Sequence, residues 1–112
     1  MFDFLKKFVK KDDPDSVAFR RSMAKKLNGR AIKYVTERKN DADLVVGRAG
    51  ALIIKDDEFI VFSSSDIVFR AVIDEMHASE LMSLEGAILT APDIEHGGEM
   101  RTIIAYYTYY LK

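Results

Sequence analysis

The stretch at residues 50–62, GALIIKDDEFIVF, decides the fold class of this chain. Leu52-Ile53-Ile54 and Phe59-Ile60-Val61-Phe62 are short apolar runs rich in β-branched and aromatic residues. Between them stand Lys55-Asp56-Asp57-Glu58, four charges that are costly to bury and belong on a turn. Apolar run, charged turn and apolar run together predict a β-hairpin whose strands face a core.

Downstream of the hairpin the pattern stays β-like. Ser63-Ser64-Ser65-Asp66 reads as a loop, and Ile67-Val68-Phe69-Arg70-Ala71-Val72-Ile73 as a strand. Residues 74–85, DEMHASELMSLE, are ambiguous: Glu, Met, Ala and Leu favour helix, yet Met76, Ala78, Leu81, Met82 and Leu84 fit a helical stripe and a broken strand equally. Residues 87–91 read as a strand ending at Pro92, and 93–100 as a polar loop containing Gly97-Gly98. The closing run, RTIIAYYTYYLK at 101–112, is dense in strand formers. Ile103, Ala105, Tyr107, Tyr109 and Leu111 fall on one face, and Ile104, Tyr106, Thr108 and Tyr110 on the other.

Upstream the chain is basic and helical. Residues 2–11, FDFLKKFVKK, set Phe4, Leu5, Phe8 and Val9 on one side and Lys6, Lys7, Lys10 and Lys11 mostly on the other, the pattern of a short amphipathic helix. A second helix is expected over 14–28, with Asp13 as N-cap, Pro14 in the first turn, Phe19, Met23 and Leu27 as its buried stripe, and Asn28-Gly29 as its stop. Residues 30–38 alternate loosely as a strand with Ile32, Tyr34 and Thr36 on one face. Lys39-Asn40-Asp41 is a turn, Leu44-Val45-Val46 a short strand, and Gly47 and Gly50 permit a bend before the central hairpin.

Length and composition bound the rest. The 112 residues are enough for one domain with a real core, and 48% hydrophobic with 31% charged is ordinary for a globular chain. The organisation expected is an amphipathic basic segment at 1–13 followed by a single helix-plus-sheet domain at 14–112. With no cysteine, disulfides, thiolate metal sites and a Cys nucleophile are excluded. No apolar run is long enough for a membrane span, and charges at Asp3, Lys6 and Lys7 spoil a signal peptide, so the expected location is cytoplasmic, with a peripheral membrane alternative. The net charge of −1 hides an asymmetry: residues 1–40 hold 12 Lys/Arg against 5 Asp/Glu, and residues 41–112 hold 5 against 13. The two parts either attract one another in the fold or offer the basic one to an acidic partner or membrane.

Gly50-Ala51-Leu52-Ile53-Ile54, Glu58-Phe59-Ile60-Val61-Phe62 and residues 67–76 (IVFRAVIDEM) together follow a glycine–strand–turn–strand–loop–strand order. In this the chain resembles bacterial pleckstrin-homology-like and GRAM-like domains over about residues 42–91. The resemblance implies a bent antiparallel sheet or small barrel, here with two N-terminal helices, in an α+β, mainly β class. It implies little chemistry, because such folds host lipid binding, peptide binding and structural roles. It also departs from the family, whose chains end in a capping helix where this one ends in a strand.

No constellation of catalytic residues is legible. His96 among Asp93, Glu95 and Glu99 lacks the regular spacing of an oxygen-rich metal loop and reads as a solvated acidic loop. His77 reads as a half-buried structural residue, Ser63-Ser64-Ser65 has neither elbow nor partnered base, and Gly97-Gly98 is a turn rather than a phosphate cradle. The expectation is therefore a non-catalytic protein without metal or other cofactor. Two surfaces stand out. Phe4, Leu5, Lys6, Lys7, Phe8, Lys10 and Lys11 could meet a membrane or a protein partner. Tyr106, Tyr107, Tyr109 and Tyr110 could form a protein interface or support self-association. Only Arg101 and Lys112 flank these tyrosines, too little basic charge for a nucleic-acid platform. The chain is thus expected to be a binding or scaffolding domain that presents a sheet edge or helix–sheet groove to a protein, or alternatively a peripheral membrane protein anchored by residues 2–11.

Overall fold

The computed structural model describes residues 16–107. Over them the chain forms one helix, α1 (Val17–Leu27), and eight strands: β1 (Ala31–Lys39), β2 (Ala42–Gly47), β3 (Gly50–Lys55), β4 (Glu58–Ser63), β5 (Asp66–Val72), β6 (His77–Glu80), β7 (Gly86–Asp93) and β8 (Glu99–Tyr107). The strands make a single antiparallel sheet in the order β5-β4-β3-β1-β8-β7-β6, with β2 paired to β1 beside β3. The mainly β class expected from the sequence is therefore present, as a curled sheet that does not close into a hydrogen-bonded barrel. Of the two helices expected, the one at 2–11 lies outside the described residues, as do Asp13 and Pro14.

The central hairpin forms as read, but its turn is tighter. Lys55 pairs with Glu58, so only Asp56-Asp57 turn the chain, with Asp56 at a φ of 57°. Likewise β4 reaches Ser63 and β5 starts at Asp66, leaving Ser64-Ser65 as the turn. Two-residue connections of this kind match the right-handed twist of the strands they join.

The helix begins at Val17, later than expected, because Ser16 is the cap: its side-chain oxygen accepts from the Phe19 N–H at 3.1 Å. Leu27 and Ala24 are buried with Met23 packed against the core, as the four-residue stripe requires. Asn28 leaves the helix and its Oδ1 accepts from the Ile54 N–H at 2.8 Å, while Gly29, at a φ of 85°, donates to the Leu52 carbonyl at 2.7 Å. The end of α1 is thereby tied to β3.

Strand β1 corrects the expected face. Its register shifts between Ile32 and Tyr34 against β8, so Ile32 and Val35 point to the core while Tyr34 and Thr36 lie on the opposite face. The ambiguous segment resolves without an α-helix. A 3₁₀ turn (Ile73–Glu75) leads through the buried Met76 into β6, where Ala78 is buried and His77 and Ser79 are exposed. Packing thus overrides helix propensity here. His77 is exposed rather than half-buried, with Nε2 2.9 Å from Arg20 Nη2. Pro92 does not end β7, and the polar loop expected at 93–100 shrinks to a 3₁₀ turn (Ile94–His96) and two left-handed glycines.

The core is the concave side of the curl. Leu52, Phe59, Val61 and Phe69 from the central strands meet Leu89, Ile103 and Ala105 from β7 and β8, with Leu27 of α1. Two glycines let strands cross closely: a Cβ at Gly50 would collide with the Phe62 carbonyl, and one at Gly86 with the Ala105 carbonyl.

Candidate functional site: an uncovered strand edge

A sheet that does not close has edges, and each must satisfy or hide its outward backbone groups. Among the described residues two edges are covered and one is not.

The edge of β6 is covered by α1. Arg20 Nη1 donates to the Asp74 carbonyl at 2.6 Å, Arg21 grips the Asp74 carboxylate at 2.8 and 2.7 Å, and Lys26 pairs with Glu80 at 2.8 Å. The helix supplies the cations and the β6 region the anions, so the basic front and acidic remainder of the sequence do meet inside the fold here.

The edge of β5 is covered by side chains. The Arg70 N–H, which has no strand opposite it on this side, donates to Asp93 Oδ1 at 3.1 Å, and the Val68 carbonyl accepts from Arg101 Nη1 at 2.9 Å. Asp93, at the end of β7, is fully buried, and Arg101, opposite Ala91 on β8, is 7% exposed. Arg101 Nη1 also donates to Asp93 Oδ2, and its Nε and Nη2 meet the Glu37 carboxylate at 3.1 and 2.8 Å. Around this centre, Arg70 pairs with Glu58 at 2.9 Å and Glu95 at 2.8 Å, and His96 Nδ1 lies 2.7 Å from Asp93 Oδ2.

Hydrogen bonding sets the charges of this clasp. Arg101 holds the Glu37 carboxyl below its ordinary range. Burial alone would push the Asp93 carboxyl up, but hydrogen bonds from Arg101, the backbone N–H groups of Arg70 and Glu95, and His96 outweigh it and hold it low. Both acids are thus ionised at neutral pH, and Arg101 is raised by the bond to Glu37. Residues 94–100 are exposed, as a solvated loop requires, but Asp93 is buried and locks β5 to β7. Sequence reasoning missed it, although a signal was present: Asp93 continues the inward parity of Ala87, Leu89 and Ala91, and Arg101 that of Ile103 and Ala105.

The third edge belongs to β2. It pairs with β1 alone, and among the described residues no strand or helix pairs with its other side. Leu44 is 55% and Val45 59% exposed, although both are strand residues in a chain with a well-filled core. Asp43 is engaged by its cross-strand neighbour Arg38 at 3.0 Å. Within β2 there is no Lys and no Pro, the residues that usually blunt an edge. The turn before it, Asn40-Asp41, has φ of 52° and 66°, the geometry of a two-residue hairpin turn. No family model, curated protein or solved structure matches this chain. The edge must therefore be read from its own chemistry.

Beside β2 runs a row of side chains across the convex face: Val45, Thr36, Ile104 and Ile88 are successive cross-strand partners. Tyr34 and Tyr106 stack next to it with ring centroids 4.5 Å apart and planes at 19°. Of the tyrosines singled out by the sequence, Tyr106 therefore lies half-buried on this face. Tyr107 points the other way, 5% exposed, with the Arg30 guanidinium 4.6 Å above its ring. Tyr109 and Tyr110, and the set Phe4, Leu5, Lys6, Lys7, Phe8, Lys10 and Lys11, lie outside the described residues.

Two surface clefts lie among the described residues. One of about 220 Å³ is lined by Arg21, Lys25, Ile54, Ile73 and Asp74, and one of about 320 Å³ by Lys55, Glu58, Ile60, Ile67 and Arg70. Their arginines are already held by carboxylates. Among the described residues no helix is long and apolar enough to cross a membrane, and no group of three or more His, Asp or Glu is arranged to hold a metal.

Proposed function

We propose that this chain is a non-catalytic binding or scaffolding domain that docks a protein partner along the edge of β2. The observation that carries the reading is that, among the described residues, β2 is unpaired on its outer side and exposes both Leu44 and Val45, while the edges of β5 and β6 are covered. An open edge adds an extended segment through main-chain hydrogen bonds, and the side chains beside it select the sequence. Val45 and the Tyr34–Tyr106 stack on the convex face supply that second element.

The order β3-β4-β5, with its tight turns, also supports kinship with pleckstrin-homology-like domains as part of this proposal. A displayed library of extended peptides, selected on the full chain and mapped by amide chemical shifts, tests the docking edge. The expected result is perturbation centred on residues 42–46; binders that map elsewhere overturn it.

A second reading is favoured by the sequence of residues 2–11, whose apolar and lysine faces suit an anionic membrane surface. Its test is co-sedimentation with anionic vesicles of the full chain and of a chain lacking residues 1–11. Salt-sensitive binding that disappears on truncation supports it, and no binding by either removes it.

A further inference from the structure

The β2 edge has a feature that a general docking strand does not need: it is complementary to itself. We infer that the partner seated on it is a second copy of this chain, paired β2 to β2 in antiparallel fashion about a two-fold axis at Leu44. The inference rests on the reading of β2 as a docking edge.

The register follows from the hairpin. In a two-residue hairpin the residues flanking the turn, Lys39 and Ala42, exchange hydrogen bonds, and the pattern then alternates along the strand. The backbone groups of Ala42 and Leu44 therefore point at β1, and those of Asp43 and Val45 point outward. Two antiparallel copies use all four outward groups when Asp43 of one faces Val45 of the other. That register sets Leu44 opposite Leu44 of the second copy; β2 then bulges at Val46, since Val35 pairs with Gly47 and Thr36 with Val45, so the regular pairing spans Asp43 to Val45.

Side chains agree with this geometry. The exposed apolar residues Leu44 and Val45 stand at the centre, where two Leu44 side chains cover each other. Asp41, in the turn before β2, falls toward the other copy's Arg48, while Asp43 stays with its own Arg38. Arg48 is exposed, and among the described residues no ion pair joins it to a carboxylate in its own chain. No like charges face each other, a condition that opposite-sign pairs across a strand boundary reward and same-sign pairs penalise. A two-fold axis makes the patch on each copy the same patch, as an isologous interface requires.

The chain lacks cysteine, which permits a direct test. In the register above Leu44 is a non-hydrogen-bonded pair with itself, at a Cα separation of about 4.5 Å, inside the range a disulfide spans. The full chain carrying Leu44→Cys, under mild oxidation at concentrations spanning the association, is expected to form covalent dimer at least about tenfold faster than Met82→Cys, since only the first geometry is preset. Met82 is the control because it is 102% exposed on a different loop. In sedimentation equilibrium the unmodified chain is expected to dimerise, and Val45→Pro, which deletes an outward N–H while sparing the bonds to β1, to remain monomeric.

Equal cross-linking of the two cysteine variants, or a chain that stays monomeric at every concentration, overturns the self-pairing. If selected peptides still map to residues 42–46 in that case, the docking edge stands and its occupant is a different protein. If they map elsewhere, both readings fall.

Discussion

The edges of β5 and β2 belong to one sheet, and the chain treats them in opposite ways. On β5 the outward N–H of Arg70 and the carbonyl of Val68 are met by the buried side chains of Asp93 and Arg101, which stand in for a missing strand. On β2 no strand or helix among the described residues pairs with the outer side, and Leu44 and Val45 stand exposed there. A sheet that had only to avoid aggregation would blunt both edges. One edge is closed by an ionic lock, and the other, unpaired among the described residues, is the one proposed for contact.

Breaking the lock carries the largest expected effect. Arg101→Leu leaves the Asp93 and Glu37 carboxylates facing each other with no cation between them, and a broken buried pair costs about 3–5 kcal/mol. Urea unfolding of the variant against the parent chain reads this directly.

Next comes the bend that parts β2 from β3. Gly50→Ala drives a Cβ into the Phe62 carbonyl, and forcing atoms into a packed site costs roughly 1–3 kcal/mol. The same urea experiment checks it. A neutral result would mean that the strand crossing at Gly50 can open without loss.

Acid acts on the β5 clasp, as it does on the Asp74 carboxyl that Arg21 holds low beside β6. Glu37 and Asp93 are held below their ordinary values, so the folded chain binds fewer protons than the unfolded chain as pH falls toward the unfolded carboxyl range near about 4. Their contribution is fully present above that range and is lost as pH drops through the folded values. Stability measured by urea at stepped pH is expected to fall below about pH 4, and to fall less steeply in Arg101→Leu, whose acids no longer gain from an ionised partner.

The smallest effect on stability is expected at the open edge. Leu44→Lys touches no core residue and should change stability by no more than about 0.5 kcal/mol, while abolishing association through β2. A large loss of stability would show that Leu44 is part of the core after all.

The same contrast explains what the sequence made legible. The GALIIKDDEFIVF hairpin and the Phe19-Met23-Leu27 helix could be read because their periodicity and punctuation are local. The inward face of β8 was readable for the same reason. The face of β1 was not, because a register shift after Ile32 moves Tyr34 to the other side, and a shift depends on the partner strand. Residues 74–85 stayed ambiguous because their helix propensity is overruled only by the burial of Met76 and Ala78. The clasp was missed because Asp93 looks like a loop residue until Arg101 arrives from the next strand to neutralise it. The open edge of β2 was hidden for a simpler reason: Leu44-Val45-Val46 reads as a short strand, and only the topology shows that nothing among the described residues pairs with its outer side.

Amide hydrogen exchange, resolved by residue on the dilute full chain, tests the contrast between the two edges most directly. The account predicts slow exchange at Arg70, whose N–H is bonded to the buried Asp93 carboxylate, and fast exchange at Asp43 and Val45, which slows as concentration rises. Protection of Asp43 and Val45 at every dilution, or fast exchange at Arg70, would contradict it.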